Sequence, residues 1–402
     1  MGSDVLDIQT LLGMGPMAPV ANPYPLYKRL RDESPVVETI QTVDTAVAGN
    51  HRSVMITRYA DVKAVLSDND TFGSGIVNRT MGLVMGPTIV GMNGREHFKH
   101  RTLITPSMTP RALKGDDFPT LIREIADDYI DQFIDEGAVD LHARFFFHYP
   151  LTVFVSVLGL PPEDVDWVHR TACDLCLVTH EPEKGVQAAE QLLQYFTPVI
   201  EARRRDGGQD MISRLIAAQI DGERLSDHEI VSFLRLLVLA GAETTNHLLG
   251  SCFYQLLHNH ELMRQVRANR ALVPALIAET MRWESPISTV MRETHTDTHI
   301  AGQPVEKGVA VLCHIGSANR DERRFRAPDT FDLQRQDKEH IAFGFGRHYC
   351  AGSHLARLEA EIGINAILDR LRDIEPQADE PFDVIGFSFR GPDRVPVTFC
   401  RA

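Results

Sequence analysis

Phe343-Gly344-Phe345-Gly346-Arg347-His348-Tyr349-Cys350-Ala351-Gly352 decides the reading of this chain. A single cysteine sits in a loop opened by glycines, an imidazole stands two residues before it, and an alanine- and leucine-bearing stretch of helical period follows over roughly 351–371. Gly344 and Gly346 remove the Cβ atoms that would collide with a planar ring laid against the backbone. A helix starting just beyond the sulfur aims backbone N–H groups and the positive end of its dipole at it, and both effects favour the thiolate. The segment suits a cysteinate that reaches a metal in a flat cofactor. An ordinary buried thiol beside a glycine turn is the competing reading, and it leaves the spacing of the surrounding residues unexplained.

Upstream, Ala240-Gly241-Ala242-Glu243-Thr244-Thr245 falls in the middle of a long apolar helical pattern, 230–257. A carboxylate and hydroxyls are costly to bury there unless they are used or satisfied. Gly241 removes bulk at one turn, and the Thr244 hydroxyl is placed to bond the carbonyl of Ala240 and loosen the helix. A local groove with an acid and an alcohol beside it is expected, suited to dioxygen receiving protons by relay. Further on, Glu279-Thr280-Met281-Arg282 sets a carboxylate and a guanidinium one turn apart on one helix face.

The cysteine segment resembles the haem-binding loop of the cytochrome P-450 haem–thiolate monooxygenases, Phe-Gly-x-Gly-x-His/Arg-x-Cys-x-Gly, and every fixed place is filled here. The resemblance runs from about Pro23 to the carboxyl end. It implies a mainly α fold with a small β portion, the family's triangular prism, and a haem cofactor (heme b, iron protoporphyrin IX) with Cys350 as axial thiolate and metal ligand. Phe343 and Gly344 belong to the same cofactor-binding loop. A cysteinate on haem iron favours O–O cleavage. By the same match Thr244 and Glu243 are the catalytic alcohol and acid, with Glu243 in place of the aspartate many soluble relatives carry. Glu279 and Arg282 resemble the family's core clamp, completed by Arg335. The cationic groups that meet the haem propionates would be His97 and Arg101, four apart on one helix face, with Arg292 and His348.

Composition agrees with a large folded protein. The 402 residues are 43% hydrophobic, enough for a sizeable core, and no linker, repeat or low-complexity tract divides them. Residues 1–20 are expected to be a flexible N-terminal segment and 21–402 a single haem–thiolate monooxygenase domain. The net charge of −14 argues against nucleic acid as a partner. The most apolar run, 233–242, contains Arg235 and is far short of the about 20 residues that span a bilayer, and no signal peptide opens the chain. A cytoplasmic protein with no membrane association is expected. Six scattered cysteines form no disulfide framework, and Cys173-Asp174-Leu175-Cys176 reads as buried helix cysteines rather than a redox or zinc dithiol. The histidine pairs 258/260 and 295/299 lack the company of a zinc site.

Helical periodicity dominates 116–371, with strand-like runs at 36–40, 53–58, 305–311 and 395–400. Residues 72–94 break the pattern as an apolar, glycine-rich loop of the kind that forms a lid or binding loop.

The resemblance implies insertion of one atom of O2 into a hydrophobic small-molecule substrate, by hydroxylation or epoxidation. Electrons would come from a separate ferredoxin or flavodoxin with its reductase, since no flavin or iron–sulfur motif is present. Arg347, Lys99, His100 and Arg95 are cationic candidates for docking an acidic partner. Two alternatives are a peroxide-driven haem oxygenase and a non-catalytic haem sensor or carrier; the Glu243–Thr244 pair counts against both. The positions expected to line the pocket are 72–94, 236–240, 287–290 and 387–389, mostly apolar. Arg79 is a solvent-facing loop arginine or an anchor for a substrate carboxylate.

Overall fold

A computed structural model describes residues 18–41, 51–113, 117–175 and 181–402, together with Ile8 and Val178. Most of the segment 1–20 and Cys176 lie outside the described residues, though Ala18 and Val20 are buried. The protein is 56% helical with a small sheet portion, the mainly α class expected from its periodicity.

The organising element is the helix Asp227–His258, packed against Tyr149–Leu158, Val165–Leu175, Pro182–Asp206, Val273–Trp283 and Ser353–Arg370. Its start is fixed by a capping box: the Ser226 hydroxyl accepts from the backbone N–H of Glu229, and the Glu229 carboxylate accepts from the backbone N–H of Ser226. It ends at Asn259, whose side chain accepts from the Leu262 N–H and so caps the next helix, His260–Ala268. Between these ends apolar residues bury on nearly every side. Leu234, Val238, Leu249, Cys252 and Phe253 are all but inaccessible, as a helix through the middle of a domain requires.

The larger sheet has the strand order Val36–Gln41, His51–Ile56, Ala310–His314, Thr289–Thr294, Phe72–Gly73. Ala310–His314 runs parallel to His51–Ile56 and antiparallel to Thr289–Thr294, with Val311 opposite Arg292. Thr289–Thr294 has no strand signal in the sequence, because Arg292 and Glu293 interrupt its alternation. Tertiary pairing makes it a strand, and that strand carries a functional candidate. A second sheet joins Leu371–Pro376, Pro396–Arg401 and Ala138–Asp140.

The 72–94 stretch is more ordered than a loop. It folds as two short helices, Gly75–Thr80 and Gly82–Met85, pinned from outside. Asn93 Oδ1 accepts from Ser74 N–H at 2.7 Å, and Arg79 pairs with Glu293 on Thr289–Thr294. Arg79 is therefore already neutralised by a carboxylate that is only 8% exposed. Arg235, deep in the core, donates to the carbonyls of Val84 and Ala189, tying the central helix to this stretch and to Pro182–Asp206.

Two other segments expected to line the pocket are held in register with each other. Ser288 N–H donates to Ser388 O at 2.7 Å, and Arg390 N–H donates to Pro286 O at 2.9 Å. Behind them Glu284 receives the Arg390 guanidinium and the Tyr24 hydroxyl. This buried network anchors residues 286–288 and 388–390 from the side away from solvent.

Candidate active site

The cysteine loop is bent by Gly344 and Gly346, with φ of +74° and +71°. At Gly346 a second constraint acts: a Cβ there would lie 2.5 Å from the carbonyl oxygen of Leu66, at the end of Tyr59–Ser67. This glycine serves the approach of that helix. Gly344 N–H donates to Ile341 O and Cys350 N–H to Phe343 O, both at 2.8 Å, closing the loop on itself. The Phe343 ring lies under the Arg357 guanidinium at 4.3 Å.

The helix after the cysteine begins at Ser353. The Cys350 surface is accessible, yet its sulfur lies deep among protein groups. Burial pushes the thiol pKa up, opposed by the N–H groups of Gly352 and Ser353 and by Arg101 and Arg357. The expected helix-terminus effect is present but outweighed. A bound metal would remove the proton outright, which the protein's dipoles alone do not do.

A buried clamp stands behind the loop. Both Glu279 oxygens receive Arg282, at 2.9 and 2.8 Å, and Arg335 Nε, at 3.0 and 3.2 Å. The remaining guanidinium N–H groups go to the carbonyls of Asn319, Arg326, Ala327, Pro328 and Thr330. Asn319 Oδ1 then accepts from Ile341 N–H at 2.9 Å, so the clamp connects to the start of the cysteine loop.

On the other side of the loop the structure brings together His97, His348, Arg101 and Arg292. The two imidazoles stack with centroids 4.0 Å apart, and His348 Nε2 is 3.2 Å from the hydroxyl of the buried Ser74. Arg292 is 7% exposed and donates only to the Met291 carbonyl, while Arg101 donates to Tyr349 O. Among the described residues no carboxylate pairs with any of the four. His97 Nε2 is buried without a partner. Burial and the neighbouring Arg101, Arg292 and Arg347 depress His97 to about 4; the same causes, with His97 itself, bring His348 to about 3.

Buried cationic groups without a counter-charge are costly. A haem fits this set: its two propionates would supply the missing negative charge, and Cys350 stands within the same neighbourhood as the thiolate. Ser74 is a member that sequence reading missed, since a lone serine in a glycine-rich stretch carries no signal.

On the central helix, Thr244 donates to Ala240 O at 3.1 Å, the bond expected from their spacing. Ala240 is exposed and Thr244 half-buried in the midst of a buried helix, so this face borders an internal opening. Gly241 plays a different part from the one expected. A Cβ there would meet the Phe154 ring at 2.7 Å, so the glycine admits the neighbouring helix Tyr149–Leu158. Glu243 turns away from Thr244 toward His247, at 3.2 Å, and the Cys173 thiol, at 3.8 Å. Thr245 bonds the carboxyl of Glu359, whose pKa burial pushes well up, and fixes the central helix across the helix that follows the cysteine. Sequence reading missed Glu359 and His247, because both sit at ordinary helical positions.

Of the docking candidates, Lys99 and Arg95 pair with Asp221, and His100 is buried. Only Arg347 is exposed with no ion-pair partner among the described residues. No group of metal-ligating side chains for a separate ion occurs among the described residues, and none of their helices is long and apolar enough to cross a membrane.

Comparison with known proteins identifies the family. The family profile "Cytochrome P450" matches residues 174–388. Pulcherriminic acid synthase of Bacillus subtilis is 33% identical over 94% of this chain and 95% of its own length. Among solved structures, cytochrome P450 CYP109Q5 from Chondromyces apiculatus superposes with a TM-score of 0.84 at 33% identity, covering 95% of this chain and 96% of that one. P450BioI, solved in complex with an acyl carrier protein ligated to hexadec-9Z-enoic acid, gives 0.84 at 29% identity over 94% and 98%. The chain belongs to the cytochrome P450 family; it has that fold and is a haem–thiolate monooxygenase.

Proposed function

We propose that the protein inserts one oxygen atom of O2 into a hydrophobic small molecule, drawing electrons from a separate ferredoxin or flavodoxin with its reductase. The observation that carries this reading is the pair of guanidinium groups beside Cys350, Arg101 and Arg292, with no carboxylate partner among the described residues and two imidazoles next to them, which calls for a dianionic cofactor next to a thiolate. Cys350 would be the axial ligand of a heme b held by His97, Arg101, Arg292 and His348, with Phe343 and Gly344 shaping the loop. When bound, that group supplies dioxygen activation with electron push from the sulfur.

The protein's own residues orient and protonate. Thr244, anchored on the Ala240 carbonyl, presents its hydroxyl at the helix face that opens inward. Glu243, adjacent in the chain and facing His247, is the acid that would feed protons toward that hydroxyl. This acid–alcohol pair favours turnover with external electrons over peroxide-driven oxygenation or a passive haem carrier. The mostly apolar segments 72–94, 236–240, 287–290 and 387–389 support a hydrophobic substrate. Arg79, paired with Glu293, is not a free anchor for it. Exposed Arg347, with Phe98 at 68% and Tyr349 at 38% exposure nearby in sequence to His97 and Cys350, supports partner docking over the cysteine face.

A spin-state titration of the ferric protein against steroids, terpenoids, fatty acids and aromatics tests the substrate class. A saturable high-spin shift with one class is expected, and turnover of that compound with NADPH and a surrogate ferredoxin system should follow. A bound compound that is never oxidised under those conditions would favour the carrier reading.

A further inference from the structure

Resting on the oxygenase reading above, we propose that His247 is the group that reloads Glu243 with protons, and that the pair is fed from the side of His142. The central helix puts His247 one turn beyond Glu243, with Nε2 3.2 Å from Oε1 and both side chains mostly buried, 12% and 18% exposed. Neither imidazole nitrogen makes a well-directed hydrogen bond. A stabilising pair would be expected to satisfy its donors, because a buried unsatisfied group costs about 1–3 kcal/mol. This ring is instead close to its acid with its nitrogens unsatisfied.

Gly391 keeps the space for it: a Cβ at 391 would run into Nδ1 of His247. The next residue, Asn246, is fixed outward, its Nδ2 3.2 Å from Nε2 of His142 on the turn His142–Phe146. Asn246 Oδ1 is itself buried and unpartnered. His142 is half-buried, with Asp140, Asp393, Glu243 and His247 as the charged groups that act on it; burial holds its pKa down, so it passes a proton on readily. From the helix Val165–Leu175 the Cys173 thiol also faces the Glu243 carboxylate.

The transfer balances simply. The Nε2–H bond of a protonated His247 breaks, the O–H bond of Glu243 forms, and a neutral imidazole and a carboxylic acid result. The imidazole then takes a proton from solvent on the His142 side. His247 acts through Glu243 and is a positioning and proton-supplying residue, not one that touches substrate.

The test uses the haem-loaded ferric protein and has two readouts. In the first, NMR at one fixed pH, the imidazole 15N shifts of His247, which report the contact between Nε2 and the carboxylate, should move away from their wild-type values in Glu243→Gln. Unchanged shifts show that the two groups do not share a proton and overturn the proposal. In the second, NADPH-driven oxygen consumption without added substrate, using a surrogate ferredoxin system, His247→Gln should slow the rate by about three- to tenfold and raise its solvent deuterium isotope effect. Gly391→Ala, which keeps the imidazole but displaces it, should do the same. Wild-type rate, isotope effect and pH profile in His247→Gln would sink the idea. Wild-type protein with no thiolate signature in its reduced CO spectrum would instead bring down the haem reading itself, and this proposal with it.

Discussion

Two buried charge clusters flank the cysteine loop, and they are built on opposite rules. In the clamp, Glu279 meets Arg282 and Arg335, and the further guanidinium contacts end on backbone carbonyls. No atom of the three is left unsatisfied. In the other cluster, His97, His348, Arg101 and Arg292 share a hydroxyl and two carbonyls, with no carboxylate among the described residues and with an orphaned imidazole nitrogen. The first arrangement is complete without a ligand and belongs to the fold. The second would be completed by an anion, as the proposed haem site requires. Satisfaction, more than burial or charge, separates a structural cluster from a binding one.

The largest expected effect lies between the two clusters. Cys350→Ser should abolish the thiolate signature of the reduced CO spectrum and lower NADPH-driven oxygen consumption by about 100-fold or more, as loss of a metal's essential ligand does. A variant that kept both would remove Cys350 from the site. Next comes the clamp: Glu279→Ala leaves two buried guanidinium groups without their acid and should cost about 3–5 kcal/mol in chemical denaturation.

Arg292→Gln sharpens the contrast. Haem affinity should fall by about ten- to 100-fold, the worth of a charge-assisted hydrogen bond, while the denaturation midpoint of the haem-free protein holds or rises. If it instead destabilised the haem-free protein as Glu279→Ala does, the distinction between the clusters would collapse. Thr244→Ala, which removes a hydroxyl bonded only to its own helix, should leave stability within about 0.5 kcal/mol of wild type. Its effect should appear as a several-fold rise in peroxide released per NADPH.

A pH-dependent effect concerns a histidine outside both clusters. His314 is fully buried against Tyr27, and burial, with Arg390 and Arg31, lowers it to about 3. Its folded pKa lies below the ordinary value of about 6.5, so as pH falls the unfolded chain takes up the proton first. The contribution is intact above about pH 6.5 and erodes by about 1.4 kcal/mol per pH unit below it, down to about pH 3. His314→Asn keeps an acceptor for the Ser317 N–H and should flatten that slope in denaturation curves taken between pH 7 and 5.

Much of this was legible in the chain because the features are local. The ten residues ending at Gly352 fix a loop by backbone freedom and spacing; Glu279 and Arg282 meet by helix geometry; Thr244 reaches Ala240 for the same reason. The reading was incomplete where a residue's duty is set by something distant in sequence. Gly346 also admits the carbonyl of Leu66, Gly241 the ring of Phe154, and the exposed Arg79 pairs with Glu293. Lys99 and Arg95, candidates for meeting a partner, pair with Asp221.

By itself the sequence determined the class of protein, the cysteine that defines it, and which residue types stand ready for charge and proton chemistry, since short-range spacing and backbone sterics suffice for these. Only the tertiary structure decided which of those charges are already neutralised and which are left waiting. It placed Ser74 and His97 against His348, turned Glu243 toward His247, and bonded Thr245 to Glu359. Electrostatic satisfaction depends on distances of a few ångströms between segments far apart in the chain, and the fold alone sets those distances.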